Sequence, residues 1–420
     1  MSREMKHSGT DWIGEIPVQW ELAPTKRVFR GKKRIVGDEA DNYERLALTL
    51  NGVVKRNKDD NEGLQPEQFN GYQILEKNEL VFKLIDLQNI RTSRVGLSPY
   101  TGIVSPAYII LSNSETDNRF YYYWFMDMYN RCIFNQMGDD GVRSALNIKD
   151  VLEIPLPLIA ESTRIKIASF LDKKCAEIDE MIALQEKIVE ELKAYKQSVI
   201  TEAVTKGLNP NAPMKDSGIE WIGEIPEHWT TIRIKYLLGE RKERSVHGEE
   251  EPLSMSQKYG LIPTKEMDVI PNMASSFEGA KIVYVNDLVF NKLKAHLGVF
   301  ATSNHFGLVS PDYAVYYGLG RALMPFMEFM FKTPQYISEF RKTATGVGSG
   351  LTRLYTSDLF SMSFPLPGVE EQAEIVKFLE EKRSQIDNLI SIKLSKIDSL
   401  KEYKKSIIYE YVTGKKEVIE

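Results

Sequence analysis

The chain is written twice, and this constrains its fold more than any single motif does. Ser8-Gly-Thr-Asp-Trp-Ile-Gly-Glu-Ile-Pro-Val-Gln-Trp20 returns as Ser217-Gly-Ile-Glu-Trp-Ile-Gly-Glu-Ile-Pro-Glu-His-Trp229, identical at 9 of 13 positions with an offset of 209. Gly102-Ile-Val-Ser-Pro-Ala-Tyr108 returns as Gly307-Leu-Val-Ser-Pro-Asp-Tyr313, and Leu192-Lys-Ala-Tyr-Lys-Gln-Ser-Val-Ile200 as Leu400-Lys-Glu-Tyr-Lys-Lys-Ser-Ile-Ile408. Three matches in one order at nearly one offset mean a tandem duplication of about 208 residues. That period is far longer than the 20–50 residues of a solenoid repeat, so each copy contains a whole domain.

Within each copy the texture changes once. The first 150 or so residues are short apolar runs broken by Gly, Pro, Asn and Asp, such as Leu80-Val-Phe-Lys-Leu-Ile85 and Leu288-Val-Phe290, which predict strands and turns. Pro155-Leu-Pro157 and Pro365-Leu-Pro367 punctuate the copies, and Gly and Pro then vanish from Glu161 to Lys206 and from Glu370 to Thr413. Leu171, Ile178, Leu192 and Val199 share one heptad track there, with Cys175, Ile182, Val189 and Ala203 on the other. In the second copy Leu379, Ile386, Leu400 and Ile407 fill one track, and Ile390, Ile397 and Tyr411 the other. Sustained heptads predict long supercoiling helices, and the polar Gln185, Lys196, Lys393 and Lys404 within the tracks suit residues that fix register. A forty-residue helix rises about 60 Å, too long to bury its stripe on one small domain. Its natural partner is its own copy, paired antiparallel about an approximate two-fold axis. The alternative is two independent helices, each packed on its own domain or on another protein.

Composition narrows the function. The longest apolar run, Phe120 to Met126, is seven residues, well short of the roughly 18 that span a bilayer. The first thirty residues are charged and lack an apolar signal core, and two cysteines with five scattered histidines build neither a disulfide framework nor a four-ligand zinc site. A soluble, cytoplasmic protein without a bound metal is expected. The net charge of −5 hides no basic domain: residues 1–155, 156–207, 208–365 and 366–420 each lie within two charges of neutral. A DNA-binding face would have to come from local sorting of charge.

Motifs for catalysis are incomplete. Asp38-Glu-Ala-Asp41 resembles a helicase motif, but no phosphate-cradling Gly-x-x-x-x-Gly-Lys-Ser/Thr accompanies it. Gly346-Val-Gly-Ser-Gly350 follows Arg341-Lys-Thr-Ala-Thr345 instead of a buried strand, so it predicts a close-approach turn and not a dinucleotide site. Asn209-Pro-Asn-Ala-Pro213 matches only the first two residues of an amino-methyltransferase motif, and Pro311-Asp312 finds no acidic-x-Lys partner in Glu339-Phe-Arg341.

Recognition remains. The cations Lys26, Arg27, Arg30, Lys32, Lys33 and Arg34 are answered in the second copy by Arg233, Lys235, Arg241, Lys242 and Arg244. A better candidate set places Gln88, Asn89, Arg91 and Arg94 before the first Val-Ser-Pro, and Asn291, Lys292, Lys294 and His296 before the second. Arg and Lys read guanine edges, whereas Asn and Gln read adenine, so the two copies would read different half-sites from one frame. Arg143, Ser144, Arg341, Lys342 and Arg353 are candidate phosphate contacts, and Tyr121-Tyr-Tyr-Trp124 suits core or strand better than a base-stacking platform.

Taken together, Trp-Ile-Gly-Glu-Ile-Pro-x-x-Trp opening each half, Val-Ser-Pro-x-Tyr in mid-domain, Pro-Leu-Pro, and Leu-Lys-x-Tyr-Lys-x-Ser with Glu-x-Val-Thr (Glu202–Thr205, Glu410–Thr413) resemble the specificity (S) subunit of type I restriction-modification systems. The resemblance implies an α/β (α+β) chain of two strand-rich target-recognition domains joined by two long antiparallel coiled-coil helices with pseudo-two-fold symmetry. On that reading residues 1–157 and 216–367 are the recognition domains, 158–207 and 368–414 the spacer helices, 208–215 a linker and 415–420 a tail. It further implies double-stranded DNA as ligand, two methyltransferase (M) subunits and two motor-nuclease (R) subunits as partners, and no catalysis by this chain. S-adenosylmethionine, ATP and magnesium would sit on those partners. The residue-level alternatives are a duplicated coiled-coil interaction protein and a stand-alone DNA-binding regulator.

Overall fold

Each copy begins by folding its repeated motif into a hairpin. Glu15–Pro17 pairs antiparallel with Met5–His7, and Glu224–Pro226 with Met214–Asp216. The tryptophans that close the motif, Trp20 and Trp229, are buried. This computed structural model describes residues 3–57, 68–87, 94–137, 145–256, 259–270, 276–347 and 351–418. It is mixed α/β and divides into two units: Met1–Glu186 with Ser395–Glu420, and Lys187–Leu394.

The next strand, Glu21–Pro24, pairs with Pro155–Leu158, and Thr230–Arg233 pairs with Ser363–Leu366. The Pro-Leu-Pro segments are therefore strands that return to the start of their own domain. Proline is tolerated because a two-stranded pair consists only of edges.

In the first unit a four-stranded antiparallel sheet runs in the order Arg30–Lys32, Ile109–Ser112, Leu80–Lys83, Arg94–Leu97. The second unit repeats the order with Leu238–Glu240, Ala314–Gly318, Leu288–Phe290 and Phe300–Thr302. The predicted strands at Leu80 and Leu288 lie inside their sheets, which explains runs such as Leu80-Val-Phe82 that are buried on both faces. Tyr121-Tyr-Tyr-Trp124 belongs to a helix, Arg119–Asn130, and Tyr121, Tyr123, Trp124 and Phe125 are buried against this sheet; Phe125 meets Phe82 edge-to-face at 5.0 Å. The tetrad is core, but helical where the sequence also allowed a strand.

The long helices are Glu161–Lys206 and Val369–Val412. Along them Leu171, Ile178, Val189, Leu379, Ile386, Ile397, Leu400 and Ile407 are buried, and Ile182, Leu192, Val199 and Ile390 are partly buried. Each helix divides its stripe between the two units. In the first unit Leu171, Cys175 and Ile178 share a core with Ile407, Ile408 and Val412 from the end of the second helix. In the second unit Ile375 and Leu379 share a core with Ala203 and Val204 from the end of the first. The segments within the first unit run in opposite directions, since Phe170 meets Tyr411 at 4.4 Å and Asp179 takes Lys404 Nζ at 2.6 and 2.7 Å. In the second unit Lys196 Nζ lies 2.6 Å from Asp387. Two of the polar residues within the heptad tracks thus carry aspartate partners.

The last helix ends at Gly414, whose φ of 71° is left-handed. A Cβ there would stand 2.6 Å from Pro17 Cγ and 2.9 Å from the Trp20 ring, so the helix end can seat on the opening motif only as glycine. Gly414→Ala is expected to destabilise the first unit by about 1–3 kcal/mol, read as a lower denaturant midpoint. Gly279→Ala, at a similar φ but with no atom within 4 Å of the added methyl, should cost less.

Candidate nucleic-acid interface

The repeated Val-Ser-Pro-x-Tyr segments build the same frame in both units. Gly102 and Gly307 start it, because the chain approaches its neighbour too closely for a side chain: a Cβ would lie 2.5 Å from the Glu44 carbonyl in one unit and 2.2 Å from the Glu251 carbonyl in the other. The next N–H groups, of Ile103 and Leu308, donate to those two carbonyls at 2.9 Å. Tyr108 and Tyr313 then close turns by donating their N–H to Ser105 and Ser310. Burial pushes both phenolic hydroxyls above the ordinary tyrosine value.

Behind each tyrosine frame stands a carboxylate clamp, also duplicated. Glu79 and Asp287 are buried, and each accepts the backbone N–H three residues earlier, from Glu76 at 2.7 Å and Tyr284 at 2.9 Å. Asn78 and Asn286, immediately before them, hold φ of 70° and 68°. Asn is among the few residues that take this left-handed turn readily. Glu79 takes Lys32 Nζ at 2.8 Å, and Asp287 takes Arg241 Nε at 2.7 Å and a second guanidinium nitrogen at 3.0 Å. Arg241 also lies over the Tyr284 and Tyr317 rings. Lys32 and Arg241, both candidate DNA contacts from the sequence, are thus engaged inside their units. A buried carboxylate left without its cation is costly, so the pair holds the strand edge in place.

The other candidates fall into distinct places. Arg34 pairs with Glu76 at 3.4 Å, and Lys342 with Glu339 at 3.4 Å. Arg341 and Lys342 end the helix Pro334–Thr343, where the helix dipole itself favours cations. Lys33 and Lys242 are exposed at matched positions just after the clamped cations. Gln88, Asn89, Arg91, Arg143 and Ser144 lie outside the described residues.

In the second unit the chain brings distant candidates together. Asn291 Nδ2 donates to the Tyr313 hydroxyl at 3.4 Å, and its Oδ1 accepts from Leu293 N–H at 3.2 Å. The Lys292 carbonyl accepts from Leu354 N–H at 3.0 Å, which carries Arg353 to the same place, 3.3 Å from Asp312 beside Tyr313. Lys294 is exposed and His296 partly so, in the short turn Ala295–Leu297 that follows. Lys281 was not among the sequence candidates, yet it is buried in this unit, and burial first and the nearby Lys292 second lower its pKa. In the first unit Arg45 and Arg56 face each other across a hairpin next to Arg94, close to Tyr108. These two arginines were also missed, since nothing in their spacing marks them; only the pairing of Arg45 with Ile103 brings them to the repeated segment.

No family model matches the chain. Among curated relatives it is 23% identical over 281 residues to the type I restriction enzyme MjaVIII specificity subunit of Methanocaldococcus jannaschii, covering 64% of this chain and 63% of that one. It is 26% identical over 276 residues to the putative MjaX specificity subunit of the same organism, covering 64% and 60%. It is 24% identical over 256 residues to the EcoKI specificity subunit of Escherichia coli, covering 57% and 52%. This chain is a relative of type I restriction specificity subunits. The matches span less than two thirds of each relative's length. The specificity-subunit fold extends further than the sequence match. A solved chain from work on complex assembly and conformational transition of the type I R-M system aligns with a TM-score of 0.70 at 14% identity, covering 96% of this chain and 99% of that one. The HsdS subunit of Thermoanaerobacter tengcongensis aligns at 0.53 and 14% identity, covering 96% and 98%. Among the described residues of this specificity-subunit relative no helix is long and apolar enough to cross a membrane, and no three His, Cys, Asp or Glu side chains converge as a metal site requires.

The clamp predicts a loss of stability. Asp287→Asn should lower stability by about 2–4 kcal/mol, read by equilibrium unfolding as a lower denaturant midpoint.

Proposed function

We propose that the chain is the non-catalytic, sequence-reading subunit of a type I restriction-modification enzyme, with each unit reading one half of a bipartite DNA target. The observation that carries this reading is one frame built twice with different polar side chains: arginines around Tyr108 in the first unit, and Asn291 on the Tyr313 hydroxyl with Arg353 on the neighbouring Asp312 in the second. A duplicated module that binds one protein twice would keep its contact residues alike. A reader of two unequal half-sites must change them. Near-neutral charge in every segment suits a scaffold that leaves part of the phosphate grip to its partners. S-adenosylmethionine, ATP and magnesium belong, on this proposal, to those partners.

In the same proposal the long helices pair as an antiparallel coiled coil that sets the distance between the readers, related by a pseudo-two-fold axis. In support, the pairs Asp179–Lys404 and Lys196–Asp387 are the same two positions, exchanged between copies at an offset of 208. The chain, assayed with its methyltransferase partner in a gel shift, should bind bipartite duplexes in preference to scrambled ones; equal binding to both would sink the proposal. Inserting four residues, about 6 Å, into both helices should lengthen the preferred gap by about one or two base pairs without changing the half-sites.

The helices also suit a scaffold for two copies of one partner, the M subunits, with two R subunits completing the enzyme. Met181, Leu184 and Tyr195 are exposed on the first helix, and so are Leu389, Ile392 and Tyr403, at the same positions of the second. Repeated exposed apolar residues on otherwise polar helix faces mark a contact made twice. Leu184→Asp together with Ile392→Asp is expected to abolish co-purification of the methyltransferase subunits while leaving the melting temperature of the chain within a few degrees of the parent. Retained co-purification would place the docking surface elsewhere.

A further inference from the structure

The duplication allows the reading surface to be compared with itself, position by position. Ile103 bridges Arg45 in parallel in the first unit, and Leu308 bridges Pro252 in parallel in the second. Arg45 faces Arg56 across its hairpin, and in the matching place Thr264 donates its N–H to the Pro252 carbonyl. Lys83 opposes Arg94 at the edge of the first sheet, where Asn291 opposes Val299 in the second, its N–H donating to the Val299 carbonyl at 3.1 Å. Arg45, Arg56 and Arg94 of the first unit therefore stand where the second unit carries Pro252, Thr264 and Val299.

All three guanidiniums act on one place. Each pulls the Tyr108 hydroxyl downward against the dominant effect of burial. Arg45 is itself buried, its guanidinium 5.3 Å from the Phe69 ring centre, whereas Arg56 and Arg94 remain partly exposed. The second unit supplies its cations from other positions: buried Lys281 stands where the first unit has Gln73, and Lys292 where it has Leu84.

This difference discriminates between two uses of an arginine. The phosphate backbone is the same at both half-sites, so a backbone grip has no reason to be present in one unit and absent from the matched place in the other. Base edges differ between half-sites, so reading them requires matched positions to diverge, which gripping a common backbone does not. The arginine fork fits the O6 and N7 acceptors of guanine, the commonest specific pairing in the major groove. Resting on the DNA-reading function proposed above, we infer that Arg56 and Arg94, backed by Arg45, are specificity-determining residues of the first unit, and that its half-site presents guanine to them. The second half-site is read at the matched place without arginine, by Asn291 with Lys292, while the buried Lys281 is engaged inside the unit, 3.7 Å from Glu240.

The test exchanges residues between copies. Arg56→Thr and Arg94→Val each install the side chain that the same frame already carries in the second unit, and Arg94→Lys keeps the charge but removes the fork. The full chain, assembled with its methyltransferase partner, is read out by methylation of a random-sequence DNA library. The parent complex should methylate a bipartite motif with at least one G·C pair in one half. Each variant should lose discrimination at such a pair by about five- to hundredfold and leave the other half unchanged. Arg94→Lys should do the same while retaining overall binding, which keeps the inference testable if Arg94→Val fails to assemble. Equal weakening on every sequence, with a shallower salt dependence, would make these residues phosphate contacts and overturn the inference; so would unchanged motifs. A parent complex with no bipartite motif would overturn the DNA-reading function itself, and this inference with it.

Discussion

The structure depends on one mismatch of length. A helix of 46 or 44 residues carries an apolar stripe far longer than the domain that precedes it can cover. The stripe is satisfied by dividing it: the first half of each helix is buried with its own copy, and the last half completes the core that the other copy opens. Ala203 and Val204 belong to the second core for this reason, and Ile407, Ile408 and Val412 to the first. Neither unit has a complete core without a segment from the far end of the other copy's helix. The paired opening motifs follow from the same constraint, since Pro17 and Trp20 receive the end of one helix at Gly414, and Pro226 and Trp229 the end of the other at Gly207.

Charge is organised in the same economical way. A chain with 54 basic and 59 acidic residues has no excess to spread over a DNA surface, and many of its cations are occupied. Lys32 and Arg241 anchor strands to buried carboxylates, Lys196 and Lys404 meet aspartates across the helices, and Arg131 is held by Asp127 and the Trp12 carbonyl. The groups near the repeated tyrosines differ between the copies, while the clamps behind them keep one geometry with Lys32–Glu79 in one and Arg241–Asp287 in the other. Rigid backbone and variable tip are separated within a few residues, so the tip can change without disturbing the strand that carries it.

The sequence exposed the fold in proportion to how local each signal was. Both long helices, the strands at Leu80 and Leu288 and the core role of Trp124 follow from heptads, apolar runs and turn residues within a window of about twenty positions. The Pro-Leu-Pro strands were not legible as strands, because their partners lie at Glu21–Pro24 and Thr230–Arg233. The candidate interface was legible least. Asn291, a candidate base contact from its place before Val-Ser-Pro, donates to the Tyr313 hydroxyl, but a run of cations looks alike whether it faces DNA or a buried carboxylate. Lys32 and Arg241 were read as DNA contacts for that reason, and Arg45 and Arg56 were passed over.

What the sequence determined by itself is the duplication, the long helices with their stripe, and a kinship with specificity subunits carried by motifs in a fixed order. These are properties of spacing along the chain, and spacing survives without a structure. Only the tertiary structure decided which cations are bound within the protein, and which side chains share a place with Tyr108 and Tyr313. Those assignments depend on strand register: Arg45 reaches Tyr108 because Ile103 pairs with it, and Arg241 is withdrawn because Asp287, just before the inner strand of the same sheet, holds its guanidinium. A one-residue slip in register would move each of these side chains to the opposite face, and no local pattern of residues records which register is taken.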